Sequence, residues 1–259
     1  MRKRTEEFKS RLKVLREMER HILEKDLSNL NIQCYPMDLT PQGTPAFDPH
    51  LQFFDPLPAD SLWRPIPEDE DHLVFTEDDP SDEDYPYQSA LGLWDFLGPY
   101  LRSYRSSQDP ESLIIYDRNW HGFCEAKYNL RRPLHHASDR TNWITVGILD
   151  LIDRRFPHIK CALLSNAHAS DELLPTELLL ITRLMGQRQV MRVAFDHKVI
   201  PILVLSLMGR HQIRILQAHL DGETLVVMKS KIFDLRTRDD EVFDLLAQWY
   251  LSEPVGTTQ

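Results

Sequence analysis

The most regular pattern of apolar and polar positions lies in the last third of the chain. Residues 199–208 form a nearly continuous apolar run, as in a strand that is covered on both faces, and Pro201 indicates that the strand begins near that proline. The strand-like runs 213–220 and 224–235 flank the dipeptide at 221–222, which is Asp-Gly. This arrangement predicts a β-hairpin with a type I′ turn.

Apolar residues at three- and four-residue steps predict five helices. Four of them cover 3–29, 89–105, 139–155 and 175–185, and Asp239 caps the fifth. The first helix has two interpretations: its apolar stripe could bind a partner helix, or the helix could lie on its own domain.

Short apolar runs at 112–117, 122–128 and 159–164 predict strands. Strands and helices alternate along the chain, which is typical of an α/β fold. We therefore expect one mixed-sheet body flanked by helices, with an α+β fold as the alternative.

Charge and proline content divide the chain into three parts. Residues 1–31 carry nine basic and six acidic residues, residues 32–86 one and fourteen, and residues 87–259 twenty of each, so the net charge of −10 originates in the middle part. Ten of the seventeen prolines also lie there. Self-repelling charge and proline disfavour regular structure. We predict an N-terminal amphipathic helix, an acidic Pro-rich linker or arm, and an α/β body with possible sub-units 87–168 and 169–259.

Aromatic residues interrupt the acidic part of the chain. Residues such as Phe53 and Phe75 could attach the arm to the body in an extended form. The acidic–aromatic stretch 73–97 is typical of docking segments. In the alternative interpretation, Trp94 and Leu97 begin the first core helix.

The cysteine count and the absence of a long apolar segment bear on location. The charged N-terminus is followed by no apolar signal region, and the longest apolar run is shorter than the roughly 20 residues that span a bilayer. The three cysteines, Cys34, Cys124 and Cys161, are too few for a disulfide framework. We expect a cytoplasmic or nuclear protein without a membrane partner.

The segment from Tyr116 to Lys127 contains the first candidate for chemistry. A predicted strand ends in Asp117, and the next one carries Glu125-Ala-Lys127. This order resembles the core pattern of the PD-(D/E)xK nuclease family, although Tyr116 stands where the family has proline. The resemblance implies that Asp117 and Glu125 hold Mg²⁺ and that Lys127 lies beside the attacking water. The alternative is a surface strand with an ion pair.

A second candidate is a metal site. His121 and Cys124 have the same spacing as His158 and Cys161, and the four together could offer zinc two nitrogens and two sulfurs. The alternative is that the cysteines are small core residues.

A basic segment is the third candidate. Six basic residues oppose only Asp196, a balance of +5; they are Arg183, Arg188, Arg192, Lys198, Arg210 and Arg214. Such a segment could contact phosphates, receive the acidic arm of the same chain, or form a solvated surface.

Three stretches resemble a group of filamentous-fungal α/β proteins of uncharacterised function. They are 90–97, 200–209 and 214–222. The resemblance implies an accessory protein, linked at most to specialised metabolism. We therefore expect an accessory or protein-interaction protein with an unknown protein partner, no cofactor and no identifiable catalytic site; nucleic acid is possible as a partner but not favoured. The alternative is a Mg²⁺-dependent PD-(D/E)xK-like phosphodiesterase.

Overall fold

A mixed β-sheet of nine described strands, with helices on both faces, forms the centre of the protein. This architecture confirms the α/β class. The computed structural model describes residues 2–18, 22–40, 42–63, 74–77, 85–107, 109, 111–122, 135–137, 142–151, 155–189, 191 and 196–259.

The described residues contain six α-helices and thirteen strands. The helices are α1 (Arg2–Glu17), α2 (Glu24–Asn29), α3 (Pro86–Ser103), α4 (Ile114–Asp117), α5 (Pro175–Arg188) and α6 (Asp240–Tyr250). The strands are β1 (Ile32–Pro36), β2 (Phe54–Asp55), β3 (Leu62–Trp63), β4 (Arg105–Ser106), β5 (Trp120–Gly122), β6 (His135–Ala137), β7 (Asn142–Leu151), β8 (Ile159–Ser165), β9 (Ile202–Met208), β10 (Gln212–Asp221), β11 (Thr224–Lys229), β12 (Phe233–Asp234) and β13 (Glu253–Pro254).

The main sheet has the order β1-β11-β10-β9-β8-β7-β5, with β12 beside β10 and β6 beside β7. The pairs β1–β11 and β8–β9 are parallel, and the other described pairs are antiparallel. Helix α5 connects β8 to β9, as parallel neighbours need a crossover. Two small sheets, β2–β13 and β3–β4, lie outside the main sheet.

Alternate residues of the sheet face two different helical layers. In β9, Leu203 and Leu205 belong to the core that contains α3 and α6, whereas Ile202 and Val204 belong to the core that contains α1 and α5. Successive strand side chains point to opposite faces, so a strand that is apolar at every position is buried on both. This confirms the strand predicted from the apolar run, which begins directly after Pro201.

Strands β10 and β11 confirm the predicted hairpin, in which Asp221 lies opposite Thr224. Its two loop residues are Gly222 and Glu223, and only Gly222 has a positive φ, 58°. A type I′ turn needs positive φ at both loop residues, whereas type II′ needs it at the first alone. The predicted turn type is therefore wrong, because the loop begins one residue later than the Asp-Gly pair suggested.

The other confirmed elements are α3, α5, β8 and α6, which lie within a few residues of the predicted ranges. Asp239 caps α6 as expected, since its side chain accepts hydrogen bonds from the backbone N–H groups of Glu241 and Val242, both at 3.1 Å. Among the described residues, no helix combines the length and the apolarity needed to cross a bilayer.

Two local predictions are wrong. Residues 112–117 contain the short helix α4 instead of a strand, and residues 139–155 contain β7 instead of a helix. Strand β7 has sheet neighbours on both sides, and its register with β8 shifts between Val146 and Leu149, around Gly147. Such a bulge interrupts the alternation of side chains, so the apolar positions of β7 do not show the period of a strand.

The N-terminal segment forms two helices where one was predicted over 3–29. Between them, Ile22 forms a bridge with Leu173. Phe8 and Leu15 of α1 are 6% and 0% exposed, in the core cluster that also contains α5. The structure therefore supports the interpretation in which this helix lies on its own domain.

The predicted linker or arm over 32–86 is attached to the body along residues 32–63. Strand β1 is part of the main sheet, and Phe53 and Phe54 are buried in the core. The side-chain oxygen of Gln217 accepts hydrogen bonds from the backbone N–H groups of both phenylalanines, at 2.9 and 3.1 Å. This part of the arm is held by sheet pairing, apolar burial and hydrogen bonds.

Candidate functional site

The three residues of the nuclease-like prediction are only partly described. Asp117 is the last residue of α4, whereas Glu125 and Lys127 lie outside the described residues. Asp117 does not end a strand, as the resemblance implied, because residues 114–117 form a helical turn. That the three side chains share one Mg²⁺ site stays a prediction.

A strand with Asp near its end, followed by a strand that carries Lys, does occur at β7 and β8. Asp150 is the last residue but one of β7, and Lys160 is the second residue of β8. His158 stands two positions before the lysine, where the family pattern has an acidic residue. This pair of strands was not predicted, because residues 139–155 were predicted as a helix.

Asp150 and Lys160 lie on opposite faces of the sheet. Asp150 faces α5, where both of its carboxylate oxygens accept hydrogen bonds from Arg188. The side chains of this ion pair are only 3% and 1% exposed. Lys160 faces the other layer, where its ammonium donates to the carbonyl oxygens of Tyr250 and Ser252 at 3.0 and 2.6 Å. The two residues therefore cannot act on one metal or substrate.

Lys160 is a fully buried lysine whose side-chain nitrogen lies at the C-terminal end of α6. Its nitrogen lies 3.8 Å from the centroid of a Trp120 ring. The last carbonyl groups of a helix lack partners within the helix and carry partial negative charge, so a cation is favourable there. Burial lowers the pKa of Lys160 well below its usual value, and the charge of Glu253 opposes this shift. Lys160 thus holds the C-terminal segment.

Two buried histidines, His158 and His219, lie beside Phe53. Nε2 of His158 donates to the carbonyl oxygen of Val255 at 3.1 Å, since a carbonyl only accepts. Burial lowers the pKa of His158 to about 3 and that of His219 to about 4. The ring of His219 lies 4.5 Å from that of Phe53. Both imidazoles are therefore neutral at pH 7 and behave as core residues.

Two of the four predicted zinc ligands, His158 and Cys161, lie on opposite faces of the sheet. Cys161 belongs to the core layer that contains α5, whereas His158 packs against Phe54 on the opposite face of the sheet. His121 lies in β5, and Cys124 is outside the described residues. Within the described part of the chain, no group of three or more His, Cys, Asp or Glu residues could hold a metal ion. Ligands from opposite faces of a sheet cannot surround one tetrahedral ion, so this zinc site is wrong.

The basic segment between Arg183 and Arg214 is not a continuous charged surface. Arg188 forms the buried ion pair with Asp150, and Arg214 forms another with Glu177, in which both side chains are 0% exposed. Two of the predicted positive charges are therefore neutralised inside the protein. They cannot contact phosphates or the acidic arm.

Residues 74–77, between β3 and α3, contact the body through the ring of Phe75. The centroid of Phe75 lies 5.2 Å from that of Phe96 in α3. It lies 5.5 Å from Phe243 in α6 and 6.0 Å from His211 in the β9–β10 loop. We call Phe96, His211 and Phe243 the aromatic seat.

The loop that supplies His211 has an uncommon backbone conformation. Arg210 and His211 have φ values of 63° and 52°, in a region that residues other than glycine rarely adopt. The backbone N–H of His211 donates to the hydroxyl of Ser89 at 3.3 Å, and its carbonyl accepts from Leu235 at 2.9 Å. Local strain persists where the surroundings hold it, and such positions concentrate at functional sites.

No known protein-family model, curated protein or solved structure matches this chain. Function therefore has to be inferred from the side chains.

The acidic–aromatic stretch 73–97 includes part of a core helix, because Trp94 and Leu97 of α3 are 8% and 0% exposed. It also includes Phe75, which packs against Phe96 of the same helix. Neither His211 nor Phe243 carried a sequence signal for this contact, since each is far from Phe75 along the chain.

Proposed function

We propose that this chain is an accessory protein that binds a protein partner through its acidic arm, with no identifiable catalytic site. The roles of the buried charges support this proposal. Asp150 and Glu177 hold arginines of the same chain, and Lys160 holds the end of α6. These groups stabilise the fold and are not exposed to a substrate.

The attachment at Phe75 is the observation that carries the proposal. In the sequence, Phe75 lies between the acidic runs 68–71 and 77–79. Such runs repel themselves and remain hydrated. One aromatic residue within acidic flanks is a composition typical of docking segments, and here the body provides a place for that residue.

The partner is a protein, because the strong negative charge of the arm opposes binding to phosphate backbones. The resemblance to filamentous-fungal proteins favours a partner linked to specialised metabolism. A cytoplasmic or nuclear location agrees with the free thiols of Cys34 and Cys161, whose pKa values are both raised by burial.

The test replaces residues 64–73 and 78–84 by Gly/Ser sequence of equal length. Tagged wild-type and variant proteins are cross-linked in cells of the source organism, and recovered partners are quantified. We expect at least one partner to fall about tenfold, which corresponds to about 1.4 kcal/mol. A control variant replaces the exposed Asp109 and Glu111 by Asn and Gln and should keep all partners. Equal recovery with wild type and the arm variant would refute the proposal.

The second candidate function is a Mg²⁺-dependent phosphodiesterase of PD-(D/E)xK type. The resemblance of the stretch from Tyr116 to Lys127 supports it; in the structure α3 is followed by α4, which ends at Asp117, and then by β5, while Glu125 and Lys127 lie outside the described residues. Asp117 and Glu125 would hold the metal, which polarises a phosphate, and Lys127 would lie beside the attacking water.

Calorimetric titration with Mg²⁺ and cleavage of single- and double-stranded DNA and RNA test this second candidate. Lys127→Ala should abolish cleavage and keep Mg²⁺ binding, whereas Asp117→Asn should weaken Mg²⁺ binding itself. If wild type neither takes up Mg²⁺ nor cleaves, the phosphodiesterase candidate is excluded.

A further inference from the structure

We infer that a pocket beside Arg11 binds a small zwitterion, an α-amino acid with an aliphatic side chain. The pocket lies between α1, the α2–β1 turn and the β10–β11 loop and has a volume of about 200 Å³. We call it the Arg11 pocket, and its lining includes Glu7, Arg11, Val14, Leu30 and Glu223. Leu30 belongs to the core layer of α1 and α5, whereas the phenylalanines of the aromatic seat belong to the opposite layer, so this inference goes beyond the proposed function.

The guanidinium of Arg11 is held in place by backbone carbonyl groups. Arg11 is only 6% exposed. Its Nε donates to the carbonyl oxygen of Leu30 at 3.1 Å, and its Nη2 donates to those of Asn31 and Glu223 at 3.5 and 3.2 Å. These acceptors lie in two separate loops, so the fold fixes the position of the guanidinium without a ligand.

The third nitrogen of this guanidinium, Nη1, is available to a ligand. Among the described residues it has no hydrogen-bond partner, and solvent reaches it. Arg11 also forms no ion pair with a described carboxylate. Burial lowers the pKa of Arg11 and the charge of Glu7 opposes this shift, but an arginine stays charged at pH 7. A buried charge without a counter-ion is costly, so a carboxylate oxygen from outside the chain is a favourable partner for Nη1.

Acidic residues at the same pocket select a ligand that also carries positive charge. Glu7 stands one helical turn before Arg11 on α1, and Glu223 is an exposed residue of the hairpin loop. Their carboxylates repel a ligand that is only an anion, and they accept hydrogen bonds from an ammonium group. The carboxylate and the ammonium of an α-amino acid therefore match Arg11 and the two glutamates.

The size and the apolar side of the pocket restrict the rest of the ligand. Val14 is 41% exposed, so its side chain is accessible, and Leu30 extends the apolar lining. Drug-sized ligands occupy cavities of roughly 300–1,000 Å³, so a cavity of about 200 Å³ suits a smaller molecule. An amino acid with a short aliphatic side chain, such as leucine, combines the two charges and the apolar group in one molecule of this class.

Isothermal titration calorimetry of the full-length protein with L-leucine tests the inference. Two further probes separate the charges: isocaproate has the same carbon skeleton without the amino group, and isoamylamine lacks the carboxylate. We expect leucine to bind at one site, and each of the other probes to bind at least about tenfold more weakly because one charge-assisted contact is lost.

The variant Glu7→Gln keeps the shape of the pocket and removes one partner of the ammonium group. It should weaken leucine binding about tenfold and strengthen isocaproate binding, because the repulsion of the carboxylate is removed. Lys13→Gln, an exposed charge of α1 outside the lining, is the matched control and should bind leucine like wild type. Arg11→Gln should abolish leucine binding; if circular dichroism shows that it is unfolded, Glu7→Gln decides.

Three results would overturn the inference. The first is that leucine gives no saturable heat up to about 10 mM. The second is that isocaproate or isoamylamine binds wild type as tightly as leucine does. The third is that Glu7→Gln binds leucine like wild type, or that Lys13→Gln weakens binding as much as Glu7→Gln does. None of these results depends on the acidic arm, whose role is tested separately by partner recovery.

Discussion

The buried ion pair between Glu177 in α5 and Arg214 in β10 offers the sharpest test of how the helix is held on the sheet. One carboxylate oxygen of Glu177 accepts from Nε of Arg214 at 2.8 Å, and the other accepts from Nη2 at 2.5 Å. The second oxygen also accepts from the backbone N–H of Leu174 at 2.8 Å. Arg214 additionally donates to the carbonyl oxygens of Ser170 and Glu172. Among the described residues, Glu177 is its only hydrogen-bond partner with an acidic side-chain group.

The variant Glu177→Ala should be strongly destabilised. It leaves the guanidinium of Arg214 in a site that is 0% exposed, without its counter-charge. Removal of one partner from a buried ion pair reduces the free energy of unfolding by about 3–5 kcal/mol. For a chain of this size, each kcal/mol lowers the midpoint of thermal unfolding by about 2–4 °C, so we expect a decrease of about 6–20 °C.

Urea and thermal unfolding followed by circular dichroism measure this loss. The control is Arg238→Ala, which breaks the exposed pair with Asp240 and should change stability by less than about 1 kcal/mol. In the double variant Glu177→Leu with Arg214→Met, the loss should be smaller than the sum of the two single losses, because no unpaired charge remains. A loss below about 1 kcal/mol in Glu177→Ala would show that the pair does not hold α5.

Three further predictions concern pH, glycine and the end of α6. Because burial holds the pKa of His158 at about 3 and that of His219 at about 4, below the ordinary 6.5, the unfolded chain binds more protons below about pH 6.5. The free energy of unfolding should therefore be about 2 kcal/mol lower per histidine at pH 5 than at pH 7. Equal urea midpoints at the two pH values would contradict this prediction. Gly92→Ala adds a Cβ with no atom near it and should stabilise α3 by about 0.5–1 kcal/mol. Gly209→Ala would place its Cβ 2.4 Å from a carbon of Pro86 in α3 and should lower the free energy of unfolding by about 1–3 kcal/mol. Melting temperatures equal to that of the wild type would argue against both predictions. Lys160→Met should lower the free energy of unfolding by about 1–3 kcal/mol and accelerate amide exchange after α6, whereas unchanged exchange would mean that the lysine does not hold this segment.

The secondary-structure elements that depend on residues close together in the chain were predicted from the sequence. The apolar run of β9, the hairpin after it and the cap at Asp239 each depend on neighbouring residues, and all three were confirmed. Strand β7 was missed, because burial on both faces and a bulge at Gly147 remove the alternation by which a strand is recognised. The candidate site was predicted only in part. The sequence indicated Phe75 as an aromatic residue within an acidic segment, but it did not indicate which residues Phe75 contacts.

The sequence by itself determined the distribution of charge, the α/β class and most local elements, because these depend on residue type and on spacing within one element. Only the tertiary structure decided that Arg188 and Arg214 are buried ion partners, since their carboxylates come from distant elements. It also decided that β1 pairs with β11 and that Phe75 meets His211 and Phe243. Contacts between distant residues form when whole faces are buried together, and no pattern within one short segment specifies which distant face that will be.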